Sequence, residues 1–242
     1  MILRKTLELL GLSPDLISVH LLSKGNNVHS EVERERMQAA SPEYVFVLDQ
    51  GSRKSARLIE TAHTGLVIDH HYATDDDFPQ DSDHVTACNS PPVATTSLLI
   101  YHICEPLHPL VAEQCAWLCV VGPQGDLGSV KWESPFPDMT PTFKRFTKKS
   151  LNEAVSHVNA PRRTATYDVS SAWAALVSAE QPSDVSKHPR LLAARQEVNA
   201  EVERCTHTAP KFSSDGKVAV FRISSEAQVV RCARIAIVFT LF

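Results

Sequence analysis

The sequence predicts an α/β protein: an open, mostly parallel sheet with helices on both faces, followed by an incomplete small α/β unit. Tyr44–Leu48 and Leu66–Ile68 are short, continuous apolar runs, which are typical of parallel strands covered on both faces. The segment between them has a helical pattern over about 53–62. A strand, a helix and a second strand in this order form the unit that builds parallel sheets.

Before the first of these runs, the pattern predicts a helix, a strand and another helix. Apolar residues at helical spacing predict a helix over 2–10, and Leu16–Leu22 follows as a predicted strand. Ser30 with Glu33 three residues later is typical of a helix start, and that helix is predicted to run to about residue 40.

Beyond residue 71, the sequence predicts mainly helices. An acidic loop is expected over 72–92, and a glycine-rich loop over 122–128. Helices are predicted over 94–104, 109–121, 147–158, 170–179 and 190–205, and a strand over 216–223. Two prolines between 181 and 189 indicate a linker. We therefore expect a first domain over 1–180 and a partial C-terminal domain over 190–242.

Composition limits the cellular setting but not the chemistry. With 242 residues the chain can bury one ample core, and its net charge of −4 gives no general attraction to nucleic acid. The six cysteines include no C-x-x-C pair and predict buried thiols in a reducing compartment. No apolar signal segment is visible near Met1, so we expect a cytoplasmic protein, with the nucleus as the alternative and no membrane association.

The pattern that carries chemistry is Asp69-His70-His71, which directly follows a predicted strand. Asp49 follows the other predicted strand, and Asp126 lies in the predicted glycine-rich loop. Parallel strands end at the same edge of a sheet, where open α/β proteins bind their ligands. Carboxylate oxygens with imidazole nitrogens suit Mn²⁺, Mg²⁺ or Zn²⁺. Clustered carboxylates would otherwise repel one another, so the pattern predicts a divalent-cation site.

These segments resemble the DHH phosphoesterases, fungal members in particular. That family includes RecJ-type nucleases, manganese pyrophosphatases, exopolyphosphatases and phosphodiesterases of oligonucleotides or cyclic dinucleotides. The resemblance rests on Val47-Leu48-Asp49-Gln50-Gly51, on Asp69-His70-His71 and on Gly122-Pro123-Gln124-Gly125-Asp126-Leu127-Gly128. It covers roughly residues 16–130, and the segment 217–228 resembles the start of the small domain that often follows.

The resemblance implies a role for each site residue. Asp49 would bridge two Mn²⁺ or Mg²⁺ ions, and His70 and Asp126 would complete the coordination of one of them. Asp69 would orient a histidine, and His71 would contact the scissile phosphate or the leaving group. The implied substrate is a phosphate-containing small molecule or a short oligonucleotide. The resemblance implies no oligomeric state.

Two features of the family pattern are missing from the chain. The family's first motif, an Asp-x-Asp after the first strand, is absent, so we expect a chain that begins one strand late and fills about one metal site. The glycine-rich substrate-binding stretch of the trailing domain is also absent. The leading hypothesis is therefore a metal-dependent phosphoesterase, which would be inactive if it needs the two missing motifs. The alternative is a non-catalytic protein of the same fold that binds nucleic acid, a nucleotide or a protein. Neither G-x-S-x-G nor G-x-G-x-x-G is present to favour a serine hydrolase or a dinucleotide-binding oxidoreductase.

Overall fold

A computed structural model describes residues 1–128 and 130–220. The chain forms two compact units, Met1–Asn152 and Glu153–Phe242. The first unit contains α1 (Ile2–Leu9), α2 (Glu31–Ala39), β1 (Tyr44–Leu48), β2 (Thr64–Ile68), β3 (Ser82–Val85), α3 (Thr96–Cys104), α4 (Pro109–Leu127) and α5 (Thr140–Arg145). Short 3₁₀ turns lie at Pro14–Leu16 and Glu105–Leu107, and α6 (Lys148–Asn159) spans the division.

The first unit is built on a parallel sheet in the order β1-β2-β3. β1 and β2 pair in register from Tyr44 opposite Thr64 to Leu48 opposite Ile68. α2 packs on one face of the sheet through Met37, and α3 contacts β2. The predicted fold class, an open α/β sheet flanked by helices, is therefore confirmed.

One hydrophobic cluster lies on the α2 face of the sheet. Val45, Val47 and Val67 point into it, because side chains alternate between the two faces of a strand. The same cluster contains Val28, Leu58, Ile59, Ala73 and Phe78. The prediction that β1 is covered on both faces was wrong: Tyr44 is 64% exposed and Phe46 41% exposed. β1 is an edge strand of the described sheet, and its second face is open at the start of the strand.

The connection between β1 and β2 is not helical, so the predicted helix over 53–62 was wrong. The Arg34 side chain donates hydrogen bonds to the carbonyl oxygens of Arg57 and Leu58, at 2.8 Å and 3.1 Å. A helix would use these same carbonyls for its own ladder. Leu58 and Ile59 are both buried in the cluster on the α2 face. The strands are nevertheless parallel.

The predicted strand over Leu16–Leu22 is absent because this segment is held by α2. Glu33 of α2 is fully buried and accepts hydrogen bonds from the Ser23 backbone N–H, the Asn26 amide and the Arg36 guanidinium. His20 Nε2 lies 2.7 Å from Glu33 Oε2. Glu33 therefore anchors this loop rather than capping its own helix, which was the role that its spacing from Ser30 predicted.

Two further differences concern the elements around the site. β3 lies inside the predicted loop 72–92. The segment 122–128, predicted as a glycine-rich loop, instead continues α4 to Leu127. Gly122 allows α3 to approach this part of α4, because a Cβ there would lie 1.9 Å from Ser97 Oγ.

The second unit is mainly helical. It contains α7 (Val169–Ser178), α8 (Pro182–Lys187) and α9 (Pro189–Thr206), and these pack on one another and on a 3₁₀ turn at Pro161–Arg163. Ala160, Ala194 and Val198 form a small core. The predicted linker 181–189 is largely α8, and it lies within this unit. β4 (Lys211–Phe212) and β5 (Ala219–Val220) form a short antiparallel pair. Of the predicted strand 216–223, residues 216–218 are not in a strand, and 221–223 lie outside the described residues.

Candidate metal centre

Asp49 and the Asp69-His70-His71 motif lie at one edge of the sheet because β1 and β2 are parallel and end together. Leu48 pairs with Ile68, and the Asp49 backbone N–H donates to the Ile68 carbonyl at 3.0 Å. The Asp49 backbone adopts a φ of 66°, in the left-handed region that is costly for most residues but accessible to aspartate. β1 ends at this turn, and the Asp49 carboxylate beyond it is largely exposed.

His70 lies between two carboxylates. Its Nδ1 is 3.1 Å from Asp49 Oδ1, and its Nε2 is 3.1 Å from Asp126 Oδ2. The Thr96 hydroxyl, at the start of α3, is also 3.1 Å from Nδ1. The His70 imidazole is mostly buried. The Asp49 side chain is 63% exposed, and the Asp126 side chain is 50% exposed.

Asp126 reaches His70 from the last turn of α4. A carboxylate at the C-terminal end of a helix is disfavoured by the helix dipole, so this position does not stabilise α4 itself. The close approach of α3 and α4 at Gly122 and Ser97 sets the distance between the two helices one turn earlier. Helix packing, rather than a flexible loop, therefore carries Asp126 to the edge of the sheet.

Asp69 is buried, and each of its oxygens accepts two hydrogen bonds. Oδ2 accepts from the Ser52 backbone N–H at 3.3 Å and from the Ser52 hydroxyl at 2.7 Å. Oδ1 accepts from the His71 backbone N–H at 3.2 Å and lies 2.7 Å from His71 Nδ1. Burial alone would raise the pKa of Asp69, but the hydrogen bonds from Ser52 and His71 outweigh it and lower the pKa.

His71 is held by Asp69 and directed outward. The hydrogen bond that His71 Nδ1–H donates to Asp69 raises the pKa of His71 against the opposing effect of burial, and the charges of Asp69, Asp49 and Asp126 raise it further. Because Nδ1 faces Asp69, Nε2 is the nitrogen left for other partners. The ring is 60% exposed and stacks on His70 with ring centroids 4.5 Å apart.

The donor set fits a hard divalent cation. Ligand atoms of Asp49, Asp69, His70 and His71 all lie within 4.8 Å of one another. Neighbouring ligands of an octahedral cation, each about 2.1 Å from it, lie about 3 Å apart, which matches the distance between His70 Nε2 and Asp126 Oδ2. Asp69 fits an orienting role better than direct coordination, because the protein already occupies both of its oxygens.

The ring nitrogens of His70 divide these contacts. Thr96 and Asp49 both lie at Nδ1, so a proton on this nitrogen has an acceptor, and Nε2 beside Asp126 is the nitrogen suited to a cation. Asp49 Oδ2 accepts no hydrogen bond within the described part of the chain. One Asp49 oxygen is therefore without a hydrogen bond in the described residues, on a side chain that is 63% exposed.

All five residues singled out in the sequence, Asp49, Asp69, His70, His71 and Asp126, are brought together at this edge. Two other residues complete the cluster and were not predicted in these positions. Ser52 binds Asp69, and its only sequence signal was its place just after Asp49-Gln50-Gly51. Thr96, at the start of α3, contacts His70 Nδ1 through its hydroxyl.

Comparison with known proteins finds no match: no family model and no curated protein matches this chain. Across residues 1–128 and 130–220, the longest and most apolar helices still fall short of what crossing a bilayer requires.

Proposed function

We propose that this chain is a metal-dependent phosphoesterase that hydrolyses a phosphodiester or a phosphoanhydride, in a nucleotide, an oligonucleotide or a polyphosphate. The observation that carries the proposal is the position of His70 between Asp49 and Asp126, with 3.1 Å contacts at its two nitrogens. The resemblance of these segments to DHH phosphoesterases supports the same reaction class. Asp49, His70 and Asp126 would hold Mn²⁺ or Mg²⁺.

A bound cation of this kind polarises a phosphoryl oxygen and lowers the pKa of a bound water. Asp69 and His71 would position the substrate. Asp69 holds His71 through Nδ1, so that Nε2 faces solvent, where an oxygen of a bound phosphate ester would lie within reach. His71 would then contact that oxygen or the leaving group.

The first test is metal binding. His70→Ala removes the imidazole whose two nitrogens contact Asp49 and Asp126, so we expect Mn²⁺ affinity to fall by about 10-fold or more in calorimetric titration. His63→Ala is a matched control, because His63 is a histidine of the same unit that bonds the Thr61 carbonyl. Equal Mn²⁺ affinity in His70→Ala and the parent chain would refute the assignment of the site.

The second test is turnover with Mn²⁺ on bis(4-nitrophenyl) phosphate, short oligonucleotides and pyrophosphate. We expect hydrolysis of at least one of them, lost in His70→Ala and retained in His63→Ala. A chain that binds Mn²⁺ through His70 but hydrolyses none of them would refute catalysis.

A non-catalytic binding protein is the second candidate, and the size of the donor set favours it. Within the described residues, the donors around His70 suffice for about one cation, whereas in-line displacement with two cations needs a second set. This candidate predicts tight, Mn²⁺-dependent binding of a nucleotide or oligonucleotide without turnover. Calorimetry and the hydrolysis assay on the same sample separate the two.

A further inference from the structure

We propose, building on the proposed function, that Ser52 is a positioning residue of this centre. It fixes the buried Asp69 carboxylate, and Asp69 in turn fixes the imidazole of His71 with Nε2 facing outward. Ser52 touches neither His70 nor the two exposed carboxylates in any contact described here, so its effect reaches the substrate only through Asp69 and His71.

The chain is built to deliver Ser52 to this position. After the left-handed turn at Asp49, Gly51 adopts a φ of 100°, a conformation that other residues rarely adopt. A Cβ at Gly51 would also lie 3.0 Å from Val47 Cγ1 and 3.2 Å from Val67 Cγ1. The backbone therefore lies directly on the ends of both strands, and the next residue, Ser52, meets Asp69 with its N–H and its hydroxyl together.

The hydrogen bonds of Asp69 explain why the hydroxyl matters. On Oδ2, the hydroxyl supplies the short contact of 2.7 Å, whereas the backbone N–H lies at 3.3 Å. Asp69 is 1% exposed, so solvent does not freely replace a lost donor. Without the hydroxyl, the carboxylate is fixed mainly through Oδ1, and Oδ1 is also the atom that must hold His71 Nδ1. The carboxylate plane, and with it the imidazole, then loses its second anchor.

The test compares three variants with Mn²⁺ and bis(4-nitrophenyl) phosphate. Ser52→Ala removes the hydroxyl, and Ser52→Thr keeps it. Ser55→Ala is the matched control, because the Ser55 hydroxyl in the same loop bonds only the neighbouring Ala56 carbonyl in the contacts described. We expect kcat to fall by about 10- to 100-fold in Ser52→Ala. KM and Mn²⁺ affinity should stay within about twofold of the parent, kcat should recover in Ser52→Thr, and Ser55→Ala should match the parent.

Three results would overturn the role of Ser52. Ser52→Ala could match the parent in kcat, Ser52→Thr could be impaired as strongly as Ser52→Ala, or Mn²⁺ affinity could fall in parallel with kcat. The last result would mean that Ser52 acts on the cation and not on His71.

A measurement that needs no turnover keeps this inference separate from the proposed function. In the metal-free chain, the hydrogen-bonded Nδ1–H of His71 should give a downfield proton resonance, assigned by its loss in His71→Gln. We expect it to broaden or disappear in Ser52→Ala and to persist in Ser52→Thr and Ser55→Ala. An unchanged resonance in Ser52→Ala refutes positioning by Ser52, whereas an inactive parent chain with the expected resonances refutes only the proposed function.

Discussion

Replacing Asp69 by asparagine tests whether this residue orients His71 or binds a cation directly. Asp69→Asn keeps the shape of the side chain but removes its charge and turns one acceptor oxygen into a donor nitrogen. In the parent, four donors converge on a carboxylate that is 1% exposed. In Asp69→Asn, at least one of these four donors therefore faces the new amide N–H₂ group, which is itself a donor.

The loss of stability in Asp69→Asn is worked out for the more favourable of the two orientations of the new amide. The amide oxygen stays toward His71, and the nitrogen turns toward Ser52, whose hydroxyl can rotate and accept. The Ser52 backbone N–H cannot, and one unsatisfied buried donor costs about 1–3 kcal/mol. Loss of the charge weakens the remaining hydrogen bonds by about 1 kcal/mol in total. We expect about 2–4 kcal/mol less stability, or a Tm lower by roughly 4–16 °C for a chain of this size.

Calorimetric melting of the metal-free protein checks the stability, with Asp83→Asn as control because Asp83 is an exposed aspartate on β3. The reasoning fails if Asp69→Asn melts within about 1 °C of the parent, or if the control melts equally early. Titration with Mn²⁺ checks the role. If Asp69 only orients His71, Asp69→Asn lowers Mn²⁺ affinity less than His70→Ala does, whereas an equal loss would make Asp69 a direct ligand.

Two further predictions concern the packing that supports the site. Burial alone would raise the pKa of Glu33, but hydrogen bonds from Asn26, Ser23 and His20 lower it to about 2. A folded-state pKa below the unfolded value of 4.5 stabilises the fold above about pH 4.5, and this contribution of about 3 kcal/mol disappears as the pH falls toward 2. Denaturant unfolding from pH 6 to pH 2.5 should therefore show a smaller pH dependence in Glu33→Gln than in the parent, while Glu35→Gln, at an exposed position of the same helix, should follow the parent. Gly122→Ala should destabilise the fold by about 1–3 kcal/mol, because its Cβ would meet Ser97 Oγ at 1.9 Å and Ser97 Cβ at 2.5 Å. Adding Ser97→Gly should restore much of the loss, and a double variant no more stable than Gly122→Ala would contradict the contact.

Short-range chemistry explains why part of the site could be predicted from the sequence. The runs Tyr44–Leu48 and Leu66–Ile68 carry their apolar character in consecutive residues, so they indicate strands without any knowledge of their neighbours. The parallel pairing was predicted from a helical crossover, and the observed crossover, although not helical, is long enough for it. Parallel pairing places Asp49 beside Asp69-His70-His71 at one edge.

The local pattern predicted two elements that long-range contacts prevent from forming. The segment 53–62 has a helical pattern, yet the Arg34 guanidinium, distant in sequence, takes the carbonyls that its ladder would need. Leu16–Leu22 has a strand-like pattern, yet the Glu33 carboxylate holds Ser23, next to its end, and His20 within it against α2. Such contacts cannot be read from neighbouring residues.

The sequence by itself determined the fold class and the chemical character of the site, because apolar runs and the acids and imidazoles that follow them are local properties. Only the tertiary structure decided that Asp126 reaches His70 from the end of a helix and that Ser52 holds Asp69. These contacts depend on how α4 packs against α3 and on how the loop after Gly51 lies on the two strands. Packing of this kind is set by surfaces that are far apart in the chain, so no local pattern encodes it.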